Sequence, residues 1–153
     1  MNNSCLKSAL RILMGRDHSC AELNEKLQTR GFHRQEIRGA IDACMDLGYL
    51  DDERFADAYL RQLRNRGYGI NGIRHRLYAK GIPEDIISTC IASRCTDSLE
   101  LDTCRQVLEK KIRYLPGNNT ARDSRSKLQR FLFGRGFSNH TIFRAMEEAL
   151  PNL

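Results

Sequence analysis

Six basic side chains, Arg61, Arg64, Arg66, Arg74, Arg76 and Lys80, fall between positions 61 and 80 with no acidic residue among them. Their chemistry is recognition rather than bond making: guanidinium forks and an ammonium point charge bind phosphate or carboxylate oxygens. At helical spacing Arg61 and Arg64 share a face, as do Arg76 and Lys80. Leu60, Leu63, Ile73 and Leu77 take other positions, so apolar anchoring and positive display are separable. A second stretch, residues 103–135, holds nine cations against Glu109 and Asp123. The candidate contact residues are therefore Arg61, Arg64, Arg74, Arg76 and Lys80, extended by Lys110, Lys111, Lys127 and Arg130. The two stretches carry +6 and +7 in a chain of net charge +6, which leaves −7 on the remainder. Such segregation suits a basic surface with an anionic partner, although a solvated helix face is the plainer explanation of any single run. Tyr68 and Tyr78 lie among the cations, where they could stack at a surface or serve as amphipathic rim residues.

Residues for catalysis do not converge. Asp51-Asp52 and Glu147-Glu148 are sequence neighbours, which point apart on a helix, and acids in a first turn are explained by capping and the helix dipole. His18, His33, His75 and His140 are scattered. Gly67, Gly69 and Gly72 have G-x-G-x-x-G spacing but no strand before them and a helical context, so they read as a bend between helices rather than a phosphate cradle. The six cysteines, Cys5, Cys20, Cys44, Cys90, Cys95 and Cys104, form no C-x-x-C pair. Cys44 and Cys90 occupy apolar helical positions, where a thiol acts as a small hydrophobe. The expectation is a binding protein with no cofactor and no metal.

The elements that position the cations repeat along the chain. Leu23, Leu27, Arg30, Gly31, Phe32, Ile37, Ala40 and Ile41 recur, each 50 residues later, as Ile73, Leu77, Lys80, Gly81, Ile82, Ile87, Cys90 and Ile91. A further 55 residues on they recur as Leu128, Leu132, Arg135, Gly136, Phe137, Ile142, Ala145 and Met146. Each copy reads as a helix stopped by Gly, with a cation in its last turn, followed by a second amphipathic helix. Leu10 and Leu13 match Leu60 and Leu63, so another helix opens each unit. The pattern predicts an all-α protein of three tandem three-helix repeats, over about 4–48, 51–93 and 97–150, in one domain spanning 1–153 as an elongated, curved array. Ser19-x-x-Glu22 has capping-box form, Asp51 or Asp52 suits the start of the fourth helix, Pro83 the first turn of the sixth, and Thr120 and Ser138 the starts of the eighth and ninth. Residues 115–121 read as an exposed loop. Three-helix units with a short turn resemble helix-turn-helix modules, a shape that also serves as a structural brick.

The segment from Gly48 to Ile82 resembles the signature region of the RecX family of recombination regulators. The residues that carry it are Gly48-Tyr49-Leu50-Asp51-Asp52, Arg54-Phe55-Ala56, Gly67-Tyr68-Gly69, Ile73-Arg74, Leu77 and Lys80-Gly81-Ile82. The resemblance implies binding in the helical groove of the RecA recombinase filament and inhibition of its ATP hydrolysis, strand exchange and co-protease function, with effects on DNA repair and the SOS response. It implies contact with single- or double-stranded DNA weakly or through the filament, and supplies no catalytic residue. No segment approaches the roughly 20 apolar residues of a membrane span, and the N-terminus lacks a secretory pattern, so the cytoplasm is the expected location. No long heptad seam is present, and a monomer is expected. The rival readings are a stand-alone DNA-binding module and a helical scaffold whose basic face binds an acidic protein.

Overall fold

Why each helix starts and stops is written in its flanks. The computed structural model describes residues 3–117 and 120–151, which hold nine helices and no strand among them. These are α1 (Asn3–Gly15), α2 (Cys20–Thr29), α3 (Arg34–Asp46), α4 (Asp52–Asn65), α5 (Ile70–Ala79), α6 (Glu84–Arg94), α7 (Asp97–Arg113), α8 (Ala121–Gly134) and α9 (Asn139–Ala149). Ser19 opens α2 in a full capping box with Glu22, while Thr120 and Ser138 accept from the third backbone N–H of α8 and α9. Asp51 caps α4 by accepting from the Arg54 N–H at 3.1 Å. Pro83 sits one position earlier than expected, immediately before α6, where its carbonyl receives the Ile87 N–H. Thr96 does for α7 what the other hydroxyls do, a cap the sequence reading had not singled out. Of the expected 115–121 loop, residues 118 and 119 lie outside the described residues.

The three repeated glycines end α2, α5 and α8 in the same way. Gly31, Gly81 and Gly136 have φ of +87°, +74° and +88°, and the next residue's N–H reaches back to Leu27, Leu77 and Leu132. This is the Schellman closure, which requires a left-handed residue that any Cβ would strain.

The helices group into two compact units that do not coincide with the repeats. The first unit comprises the described part of Met1–Tyr59 together with Leu77–Cys90; its core joins Cys5, Ala9 and Ile12 of α1, Leu23 and Leu27 of α2, Ile37, Ala40 and Cys44 of α3, and Leu50. The second unit comprises Leu60–Arg76 and the described part of Ile91–Leu153; its core joins Leu101, Cys104 and Leu108 of α7, Leu128 and Leu132 of α8, Phe137, and Ile142, Ala145 and Met146 of α9. Buried aliphatic side chains of this kind contribute about 1.5–3 kcal/mol each. Leu60, Leu63, Ile73 and Leu77 are all buried, as their spacing required. Burial pushes the Cys104 thiol up to about 12, aided by nearby Glu100, so this cysteine stays a protonated apolar filler.

Each unit contains one joint of the same kind, in which the Gly stop of one repeat's middle helix meets the start of the preceding repeat's middle helix. In the first unit the Ser19 hydroxyl donates to the Lys80 carbonyl at 2.6 Å, and Lys80 Nζ lies 3.6 Å from Glu22. In the second unit the Gly69 N–H donates to the Arg135 carbonyl at 2.9 Å and the Asn71 N–H to the Gly136 carbonyl at 3.0 Å. Ser19 and Gly69 are 50 apart, Lys80 and Arg135 55 apart, the two offsets of the sequence repeat. A carboxylate from the next repeat closes each joint: Asp52 accepts from the Cys20 N–H at 2.9 Å, and Glu100, 8% exposed, from the Ile70 N–H at 3.0 Å. Glu100 also accepts from the Thr141 hydroxyl at 2.9 Å.

Candidate recognition surface

The glycines read as a bend do more than turn the chain. Gly67, at φ +86°, stops α4, but Gly69 and Gly72 exist for close approach. A Cβ on Gly72 would lie 2.6 Å from the Arg135 carbonyl oxygen, and one on Gly69 would lie 2.6 Å from the Gly136 carbonyl. The end of α8 is thereby pressed against the start of α5, one residue from Tyr68. This brings Arg135, which is 67 positions away in sequence, to the Tyr68 ring.

The consequence is an alternating series of cations and rings within the second unit. Arg76 Cζ lies 3.9 Å from the Tyr68 ring centre, and Arg135 Cζ lies 4.9 Å from the same centre. Arg135 also lies 5.4 Å from the Phe131 centre, and Lys111 Nζ 4.5 Å from it. The order is Arg76, Tyr68, Arg135, Phe131, Lys111, drawn from α5, the α4–α5 turn, the α8 stop, α8 and α7. All four distances fall within the roughly 6 Å at which a cation is attracted by a ring quadrupole. Arg135 is further oriented by donating from Nη1 to the Arg66 carbonyl at 2.9 Å.

The other cations are held differently. Arg16 and Lys80 meet Glu22, Arg105 meets Asp102 and Glu148, Arg113 meets Glu109, and Arg125 meets Glu147. Burial would raise the Glu22 carboxyl, but the Arg16 guanidinium and the Lys80 ammonium outweigh it and hold the group below the usual carboxylate range. Arg76, Arg135 and Lys111 have no carboxylate partner among the described residues, so their charge remains available.

The candidate residues thus separate into groups. Arg76 and Lys111 are the two ends of the series. Arg64 lines a small cleft with Tyr68, Cys95 and Glu100, and its guanidinium donates to the Arg94 carbonyl at 2.8 Å, closing the end of α6. Arg61 is exposed on α4 and Arg74 half-buried on α5. Lys80 belongs to the first unit, over the Tyr59 ring at 5.7 Å. Lys110 and Lys127 are exposed, and Arg130 lines a cleft with Phe133 and Phe143. Tyr78 is 71% exposed and takes no part in the series. Arg135 and Phe131 were missed. The signal for Arg135 was present in the repeat, because the residue before the Gly stop returns to the preceding unit's middle helix.

Three-helix models describe the whole architecture. The RecX first three-helix domain matches residues 5–44, the second 51–91 and the third 98–146. Regulatory protein RecX of Vibrio vulnificus (strain CMCP6) is 33% identical over 145 residues, covering 95% of this chain and 92% of that protein. The chain belongs to the RecX family. Regulatory protein RecX of Vibrio campbellii (strain ATCC BAA-1116) is 36% identical over 145 residues, 94% of this chain and 90% of that one. The crystal structure of RecX from Lactobacillus salivarius superposes with a TM-score of 0.82 at 26% identity, over 95% of this chain and 94% of the other. The three-repeat, all-helical reading and the resemblance of Gly48–Ile82 are therefore correct, and the RecX relatives are named as regulatory proteins. No helix among the described residues is long and apolar enough to cross a membrane.

Proposed function

We propose that this protein binds the RecA recombinase filament in its helical groove and inhibits its ATP hydrolysis, strand exchange and co-protease activity. It thereby tempers recombination, DNA repair and the SOS response, acting in the cytoplasm as a binding protein and not as an enzyme. The observation that carries the reading is the succession of three RecX domains in order along one chain. The physical support is that Arg76, Arg135 and Lys111 lie against aromatic rings rather than carboxylates, which holds them in place without cancelling their charge. Arg61, Arg64, Arg74 and Arg76 of the second repeat are the proposed filament contacts, with Lys80 and the third-repeat cations Lys110, Lys111, Lys127 and Arg130 extending them. A polymer groove suits tandem repeats, which present a long surface at low local cost.

The test is RecA ATP hydrolysis on single-stranded DNA, titrated with this protein and with a variant carrying Arg61→Glu, Arg64→Glu, Arg74→Glu and Arg76→Glu. Inhibition well below one copy per RecA subunit, weakened in the variant, is expected. No inhibition by the wild-type protein at any ratio would overturn the reading.

A further inference from the structure

The series of cations and rings has a geometry that a filament contact made of carboxylates does not need. We infer that Arg76, Tyr68, Arg135, Phe131 and Lys111 form a track that holds one strand of single-stranded DNA directly, with Arg135 as its centre.

Two features of the geometry select this ligand. The Arg76 guanidinium lies over the Tyr68 ring, and the Arg135 guanidinium lies near both the Tyr68 and Phe131 rings with Nη1 on the Arg66 carbonyl, which holds both groups in place while N–H donors remain to meet phosphate oxygens. Arg76, at the end of the series with one ring neighbour, also offers a guanidinium face to an unpaired base, the manner in which single strands are bound without regard to sequence. A duplex hides its base faces and can use the charges alone. The spacing also suits a strand: Arg135 shares a ring with each outer cation, so no gap between successive cations exceeds the two cation-to-ring distances laid end to end. Lys111, a point charge on a flexible stem, ends the track as a phosphate contact.

The second consideration is what surrounds the track. Five other cations of the chain, Arg16, Lys80, Arg105, Arg113 and Arg125, have carboxylates to neutralise them, whereas these three have rings and a carbonyl. Rings hold a cation in place without cancelling its field, so the site keeps its full attraction for a polyanion. Holding a strand in this way requires no RecA, and the inference stands or falls apart from the filament reading.

The experiment uses the purified full chain alone and a fluorescein-labelled oligothymidylate, with anisotropy followed across salt concentrations. The Arg76→Gln/Arg135→Gln variant is compared with Arg105→Gln/Arg113→Gln, which loses the same charge at cations paired elsewhere. The track predicts an affinity loss of at least about tenfold in the first variant, and a salt slope reduced by about 1.4, the share of two phosphate contacts on a single strand. The control should stay within about twofold of wild type. Equal losses in both variants, or wild-type binding to a duplex as tight as to the single strand, would overturn the inference. Because Arg135 also anchors the Arg66 carbonyl, so that its replacement tests the fold as well as the charge, a 5-iododeoxyuridine strand is also photo-cross-linked to the wild-type chain. Attachment at Tyr68 or Phe131 supports the track, and attachment confined to α1–α3 overturns it.

Discussion

The two joints of this protein solve one problem with different chemistry. In the first unit the meeting of repeats is made by side chains: the Ser19 hydroxyl, the Glu22 carboxylate and the Lys80 ammonium. In the second unit the equivalent positions are Gly69, Gly72 and Arg135, and the two helix ends meet through backbone hydrogen bonds at close approach, with the Arg135 side chain adding a bond to the Arg66 carbonyl. Side-chain joints tolerate adjustment, because flexible groups can re-aim. A backbone joint does not, and in exchange it brings the helices close enough for Arg135 to reach Tyr68. The difference explains why Lys80, the counterpart of Arg135, ends in an ion pair while Arg135 ends in a stack. Glu22 has no counterpart in the second joint because its position is Gly72, so nothing there neutralises the arriving cation.

Three alanine substitutions grade this contrast, since Gly136, Gly81 and Gly31 have nearly the same φ but different neighbours. Gly136→Ala places a Cβ against the Gly72 backbone nitrogen and should cost the most, about 3 kcal/mol or more. Gly81→Ala meets only the Ala21 methyl group and should cost about 2 kcal/mol. Gly31→Ala meets nothing within 4 Å and carries the left-handed strain alone, about 1 kcal/mol. Denaturant melts read all three, and equal losses would mean that close packing at the second joint is not what holds it. Hydrogen exchange should localise the Gly136→Ala effect to residues 60–76 and 128–146.

A smaller effect is expected at the first joint. Ser19→Ala removes both a helix cap and the bond to the Lys80 carbonyl, for about 1–2 kcal/mol. Gly69→Ser, which installs the first joint's residue in the second, should instead be destabilising because its Cβ meets the Gly136 carbonyl. If Gly69→Ser were neutral, the two joints would be interchangeable and the comparison would fail.

The first joint should also be the more sensitive to acid. His18 is 4% exposed; its Nδ1 donates to the Arg16 carbonyl at 2.8 Å and its Nε2 is buried without a partner. Burial lowers its pKa, against the opposing pull of that hydrogen bond. The unfolded chain therefore binds the proton more readily, and stability falls as pH drops below the ordinary value of about 6.5. Glu22, also lowered, adds a contribution present above its unfolded pKa and lost as pH falls through the folded one. Proton NMR of the His18 ring should give an apparent pKa below about 6.5; a value at or above it would contradict the buried, neutral assignment.

Much of the fold was legible because its signals are local. The Gly stops, the hydroxyl caps and the 3–4 apolar spacing each act within one or two turns, and their recurrence at fixed offsets exposed the repeats. The stacked series was not legible, because Tyr68 and Arg135 are brought together by a joint, and joints do not appear in helical periodicity. Gly69 and Gly72 looked like a bend for the same reason: close approach and chain reversal both call for glycine, and only the partner backbone distinguishes them. Lys111 and Arg76 were named on charge, and packing then gave them rings that no spacing argument within one helix supplies.

The measurement that tests the account most directly is RecA ATP hydrolysis on single-stranded DNA, titrated with Arg76→Gln/Arg135→Gln and with Arg105→Gln/Arg113→Gln. The account predicts that the first variant requires at least about tenfold more protein for half-inhibition while the second matches wild type, a difference of about 1.4 kcal/mol. Equal inhibition by both variants and the wild-type chain would contradict it, because the uncancelled cations of the second unit would then have no part in the protein's action.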